Sequence, residues 1–126
     1  MTFGEALKTE LTAIPALLNK VHPVIAPQET LAPFCVYRKT SVKFEKTLDG
    51  TLNKVEAFYN LTLTAKKYQE LEDVTELVIQ KILGFLFVSI GVNGPTIRNV
   101  TVGISSESYD VETELYIADI QLKVNY

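Results

Sequence analysis

Apolar and polar positions alternate most cleanly near the end of the chain, from Leu115 to Tyr126. Tyr116, Ala118, Ile120, Leu122, Val124 and Tyr126 fall on one side; Asp119, Gln121, Lys123 and Asn125 fall on the other. Period-two alternation with one polar side predicts a strand with one buried face. Two further strands read from Phe34 to Thr47 and from Asn53 to Lys66. In the first, Val36, Arg38, Thr40, Val42 and Phe44 share one side, and Cys35, Tyr37, Lys39, Ser41 and Lys43 the other. In the second, Val55, Ala57, Tyr59, Leu61, Leu63 and Ala65 form the apolar side. Leu48-Asp49-Gly50-Thr51 lies between them, and Asp-Gly supplies the positive φ of a tight hairpin turn. The hairpin is long enough for its tip to project beyond a core. Thr96 to Ile104 alternates through Arg98, Val100 and Val102, and Ser105 to Asp110 reads as a polar connection.

Helical spacing appears twice. Phe3, Leu7, Leu11 and Ile14 line one side of a first helix, with Thr2 as N-cap and Glu5 completing a capping box. Pro15 ends it or opens a short second turn through Leu17 and Leu18. The main helix reads from Tyr68 to Phe87. Leu71, Val74, Val78, Ile82 and Phe85 form its stripe, widened by Leu77 and Leu86, with Glu70, Glu72 and Asp73 in its first turns. Val21 to Pro33 carries Pro23, Pro27 and Pro33 and reads as extended. Gly91, Asn93, Gly94 and Pro95 mark a loop. The order helix, hairpin, helix, hairpin predicts an α+β two-layer sandwich: a mainly antiparallel four-stranded sheet with two helices on one face. The 126 residues suit a single domain, residues 1–126.

A net charge of −3 argues against a basic nucleic-acid-binding domain. Arg38, Lys39, Lys43 and Lys46 nevertheless cluster in sequence. The expected strand splits them between two sides, so they read as solvated residues that discourage edge pairing. One cysteine, Cys35, excludes an internal disulfide and fits a reducing compartment. No charged-then-apolar leader opens the chain, and Val78 to Val92 is too short and broken to span a membrane, so synthesis in the cytoplasm is expected.

Candidate chemistry is thin. His22 is the only histidine and has no HxH, HExxH or Cys/His companion, so it reads as structural. Cys35 reads as a small buried hydrophobe between Phe34 and Val36. Glu107, Asp110, Glu112 and Glu114 lack the spacing and glycine of a calcium loop and read as a solvated connector. Glu70, Glu72 and Asp73 point in different directions from a helix and read as charges suited to its N-terminal end. The loop from Gly91 to Gly94 has no phosphate-cradling pattern.

Several landmarks occur together: Val21-His22-Pro23 and then Pro27; Ala32-Pro33-Phe34-Cys35-Val36-Tyr37; the Thr47-Leu48-Asp49-Gly50 turn; a helix opening Tyr68-Gln69-Glu70; and Tyr109-Asp110-x-Glu112-Thr113-x-Leu115-Tyr116 before the final strand. In this order, over nearly the whole chain, they resemble the tail-completion proteins of long-tailed phages, also described as tail terminator or head-to-tail joining proteins. The resemblance implies a structural, non-enzymatic protein with no cofactor or metal. It implies a ring, typically hexameric, that caps the tail tube and joins tail to head at the tail–head junction of the virion. The implied partners are further copies of the chain, the tail tube protein and the head connector protein, with no membrane. DNA would pass through or near the ring without sequence-specific binding. Lys46, Thr47, Leu48, Asp49, Gly50 and Thr51, at the hairpin tip, are the candidate subunit or tube contact. Another minor tail or head–tail connector component of a phage or prophage, or a small ligand-binding domain, are the alternatives.

Overall fold

The computed structural model of the protein describes residues 3–17, 20–25, 32–46, 52–86, 90 and 97–126. Its elements are α1 (Phe3–Thr12), a 3-10 turn (Pro15–Leu17), β1 (Val21–Pro23), β2 (Phe34–Lys46), β3 (Leu52–Ala65), α2 (Tyr68–Leu83), β4 (Asn99–Asp110) and β5 (Leu115–Asn125). Pro15 opens the short turn, where its fixed φ and missing N–H do no harm. The predicted N-cap, Thr2, lies outside the described residues.

One five-stranded sheet runs in the order β1-β2-β3-β5-β4. β2, β3, β5 and β4 pair antiparallel in turn, and β1 lies parallel to β2. The expected four-stranded antiparallel sheet is therefore corrected to a mixed sheet of five strands. The extra strand is three residues of the proline-rich segment, too short for any periodicity to show. Pro23 is tolerated there because a short edge strand leaves one side without ladder bonds.

The sheet buries one face. Cys35, Ala57, Leu61, Leu63, Ala118, Ile120, Leu122 and Val124 are all at most 1% exposed, and they form one cluster with Phe3, Leu7 and Leu11 of α1 and Leu71, Val74, Val78 and Ile82 of α2. α2 packs over β3, β5 and β4, while α1 lies against β1 and α2. A Lys81–Glu10 ion pair of 3.3 Å ties the two helices at the surface, worth at most about 1 kcal/mol at such exposure.

Two bulges change what each strand shows to each side. In β2, Lys39 pairs with Tyr59 but Ser41 pairs with Phe58, which leaves Thr40 as an extra residue. Thr40 donates its hydroxyl to the Phe58 carbonyl at 3.1 Å. Beyond it the alternation changes phase. Val42 and Phe44 join Cys35, Tyr37 and Lys39 on the helix side; Ser41 and Lys43 join Val36 and Arg38 on the outer side. The uniform alternation expected for this strand is corrected accordingly. β4 repeats the device: Ile104 pairs with Ile120 and Ser106 with Asp119, and the extra residue Ser105 donates its hydroxyl to the Asp119 carbonyl at 3.1 Å. Ser105 to Asp110, expected as a connection, is thus the second half of β4. Its polarity reflects an exposed edge strand, not a loss of strand structure.

The main helix ends at Leu83, with Gly84 as C-cap. Leu77 and Leu86 do not widen its buried stripe, being 51% and 40% exposed. Thr75 is buried instead, and its hydroxyl oxygen has no partner among the described residues. A buried hydroxyl without a hydrogen bond is destabilising, and an isosteric apolar group removes that penalty. Thr75→Val is therefore expected to raise the unfolding free energy by about 1 kcal/mol, read as a higher urea midpoint with an unchanged slope.

Candidate interaction surfaces

The six residues proposed at the hairpin tip lie at or beyond the limit of what the structure describes. Lys46 ends β2, its backbone opposite Leu52. Thr47, Leu48, Asp49, Gly50 and Thr51 lie outside the described residues. The described stem of the hairpin still carries a distinctive surface at its root. There, β2 leaves β1 behind and passes the start of α1.

This surface is an apolar groove of about 530 Å³ on the helix side, lined by residues that include Phe3, Pro23, Val24, Tyr37, Val42, Phe44, Val55, Tyr59 and Tyr126. Its floor is aromatic: Phe3 stacks on Tyr126 at 5.4 Å and tilts against Tyr59 at 5.1 Å. Its rim is unusually wet for such residues, with Phe44 61% and Val24 67% exposed, and Ile25, next in the chain, is 77% exposed. Val24 also has a φ of 63°. Its N–H donates to the Tyr37 carbonyl at 2.9 Å, and the Ile25 N–H donates back to the Pro23 carbonyl at 2.6 Å. Val24 is therefore the centre of a γ-turn with positive φ, a strained form that a β-branched residue adopts at a cost of about 1–3 kcal/mol. Strain of this kind is kept where it places a side chain usefully, and here it sets Val24 in the same groove lining as Phe44.

Among the described residues no helix covers the opposite face of the sheet. Between the two bulges it forms a trough of about 890 Å³, floored by β3 and β5 and walled by β2 and β4. Asp119 organises part of this face. Its carboxylate accepts the Thr62 hydroxyl at 3.0 Å and the Ser106 hydroxyl at 3.2 Å. Lys123 sits 5.9 Å from the Phe58 ring centroid and 3.8 Å from Glu56. The basic residues are divided differently from the expectation: the bulge places Arg38 and Lys43 on this outer side and Lys39 on the helix side.

At the far end of the sheet, Tyr116 packs edge-on to Tyr68 at 5.7 Å and against Tyr109 at 4.7 Å. Tyr68 donates its hydroxyl to Glu107 at 3.2 Å, which raises the tyrosine's pKa. Asp110 accepts the Glu112 N–H at 3.1 Å through its side chain and the Glu114 N–H at 2.8 Å through its backbone. The acidic residues Asp110, Glu112 and Glu114 thus build the β4–β5 turn, and no metal-holding cluster occurs among the described residues. Cys35 is fully buried, and burial pushes its thiol up to about 12, which removes the thiolate a nucleophile would need.

No protein-family model matches the chain, and no curated protein does. Solved structures do. The fold is shared with a chain described as the virion of a native gene transfer agent particle. The TM-score is 0.66 at 9% identity, over 98% of this chain and 92% of that one. A second solved chain, known only by a protein identifier, gives a TM-score of 0.53 at 11% identity, over 98% of this chain and 91% of its own length. At these identities the likeness establishes the architecture along the whole chain.

Sequence reasoning missed the groove because its parts come from five separated segments and its key backbone angle leaves no mark in composition. The apolar pair Val24-Ile25, stranded between Pro23 and Pro27, was the available signal.

The buried thiol has a consequence for alkaline stability. Cys35 moves from 9.0 to about 12, and Tyr59 from 10.0 to about 12, both chiefly through burial. Each group is neutral when protonated, so the native state keeps its protons longer than the unfolded chain does. Their contribution is intact below pH 9.0 and is lost as pH rises toward about 12. Stability is expected to fall across that window, and Cys35→Ala is expected to flatten its first part. Urea midpoints measured at half-unit pH steps check this; an equal slope in both proteins would refute it.

Proposed function

We propose that this chain is a structural subunit of a phage-like particle that forms a ring at the end of the tail tube and joins the tail to the head. The observation that carries the reading is the end-to-end fold likeness to a chain of a gene transfer agent virion. The ordered landmarks that resemble tail-completion proteins support it from an independent direction. On this reading the partners are further copies of the chain, the tube protein and the head connector, and the site of action is the tail–head junction. A six-membered ring is the number the resemblance favours.

The mechanism is geometric. A ring seated on the last ring of the tube stops further addition and offers a new face to the head. Weak individual contacts suffice once several act together around a ring. The hairpin root suits such a contact, since Phe44, Val24 and Ile25 present exposed apolar groups on a strained support. Burial of each is worth roughly 1.5–3 kcal/mol.

Deleting the gene in the phage or prophage that carries it is expected to leave DNA-filled heads beside unattached tails, some of abnormal length, by electron microscopy. Intact infectious particles would overturn the reading. Complementation then tests the groove. Phe44→Ser is expected to keep stability within about 0.5 kcal/mol, as an exposed substitution should, yet to lower the yield of joined particles by at least about tenfold if it removes one such contact per subunit. Val24→Gly relieves the positive φ and is expected to raise stability by about 1 kcal/mol while also reducing joining. Unchanged joining in both variants would remove the groove from the interface.

A further inference from the structure

Two features at opposite ends of the sheet complement each other. The first is the apolar groove at the hairpin root. Among the described residues its lining holds two basic side chains, Arg38 and Lys39, and no acidic one. Both are exposed, and neither enters an ion pair with a described residue. The Tyr37 hydroxyl is raised in pKa by burial and then by the nearby charge of Glu5, so the positive charge gathers on the β2 side of the groove. Gly4 leaves the floor open. A Cβ there would make only ordinary contacts, with Tyr59 Oη at 3.5 Å and Tyr37 Cε2 at 3.8 Å, so the packing leaves room that no side chain takes.

The second feature is the β4–β5 turn. Val111 in this turn is 78% exposed, the highest value among the large hydrophobic residues described. The turn is braced from within by the two bonds that Asp110 accepts and by Glu114, whose φ is 58°. Val111 is thus held out in solvent on a defined support, with Asp110 before it and Glu112 after it.

We infer that a second copy of this chain docks its β4–β5 turn into the groove of the first, with Val111 entering beside Val24 and Phe44 and Glu112 facing Lys39 and Arg38. Three observations point to this occupant. The first is charge. An apolar groove with a basic rim calls for an apolar group flanked by acids. Of the described large hydrophobic residues that are exposed, Val111 alone has an acidic neighbour on both sides in sequence.

The second is shape. A single side chain at a tight turn is a narrow knob, and a groove of about 530 Å³ admits it together with part of the turn backbone.

The third is position. Phe44 pairs with Val55, and Val55 exchanges backbone bonds with Tyr126, so the groove lies at the Tyr126 end of β5. The turn lies beyond Leu115, at the other end of that strand and on the β4 side. β5 has 11 residues, so roughly 30 Å of strand separates Phe44 from Val111. One chain therefore cannot fill its own groove. Each copy gives a turn to one neighbour and receives a turn from another, which is a head-to-tail contact that closes into a ring when the rotation per copy permits.

This inference deepens the ring reading given above and rests on it for the closure and number of copies. The test mixes two variants. Val111→Ser/Glu112→Lys spoils the turn side of the contact and leaves intact Asp110, which shapes the turn. Gly4→Leu/Phe44→Ser spoils the groove side by filling the floor and removing the rim. Circular dichroism checks that each is folded, and Lys39→Glu, an exposed change, serves as the groove variant if the double substitution unfolds the chain. By sedimentation velocity the unaltered chain is expected to associate, more strongly at low ionic strength. Each variant alone is expected to associate more weakly by about tenfold. In an equimolar mixture one contact is whole, the groove variant's turn in the turn variant's groove, so association is expected to return and to stop at pairs. A mixture that stays monomeric, a variant that associates as well as the unaltered chain, or an unaltered chain that remains monomeric up to about 1 mM would each overturn the docking. Pairs in the mixture, with no particle defect on gene deletion, would uphold the docking and overturn the tail role. A joining defect on deletion that either variant repairs would do the reverse.

Discussion

The seam between β3 and β5 is the contact on which the rest of the structure depends. Ten consecutive residue pairs run along it, from Glu56–Asn125 to Ala65–Tyr116, with no bulge. On its inner side Ala57, Tyr59, Leu61 and Leu63 meet Val124, Leu122, Ile120 and Ala118, all buried in the cluster they form with α1 and α2. The strict period of two leaves no freedom of register here, because a slip by one residue would send every apolar side chain to the outer face. β2 and β4 attach on either side of this rigid pair, and both bend. The bulges at Thr40 and Ser105 lie in β2 and β4, and a further irregularity, at Asn53 opposite Glu45 and Lys46, lies beyond the seam at the tip end of the β2–β3 pair.

That division explains what each face can offer. A hydroxyl at each bulge, from Thr40 and Ser105, occupies a carbonyl of the neighbouring strand. The bulged strands gain local twist, and the uncovered face becomes a trough between them. The phase change in β2 also carries Phe44 to the helix side, where it lines the groove together with Val24. One inserted residue thus connects the shape of one face to the composition of the other.

The rigid part of this fold was legible in the sequence and the bent part was not. β5 and β3 were readable because burial on one face imposes strict alternation, and the stripe of α2 through Leu71, Val74, Val78 and Ile82 because the helix buries one side only. β1 was too short to register. The far half of β4 read as a connection because Ser105 breaks the alternation and its neighbours are polar on both sides. The bulge at Thr40 escaped because threonine suits a regular strand equally well. Of the candidate contact at the hairpin tip, only the backbone of Lys46 is described, whereas the groove at the root came from Val24, whose left-handed backbone no spacing rule would assign to valine.

The position of β5 also orders the birth of the molecule. It is the last of the five strands to be synthesised, yet it sits between two made earlier. Until it emerges, β3 and β4 have no partner along their facing edges and α2 has no continuous surface to cover. Domains generally fold as units during synthesis, and this one has no stable stopping point short of β5. A polypeptide cut short before that strand therefore leaves β4 with no sheet to join, and the fold becomes available only once the chain has been made through its fifth strand.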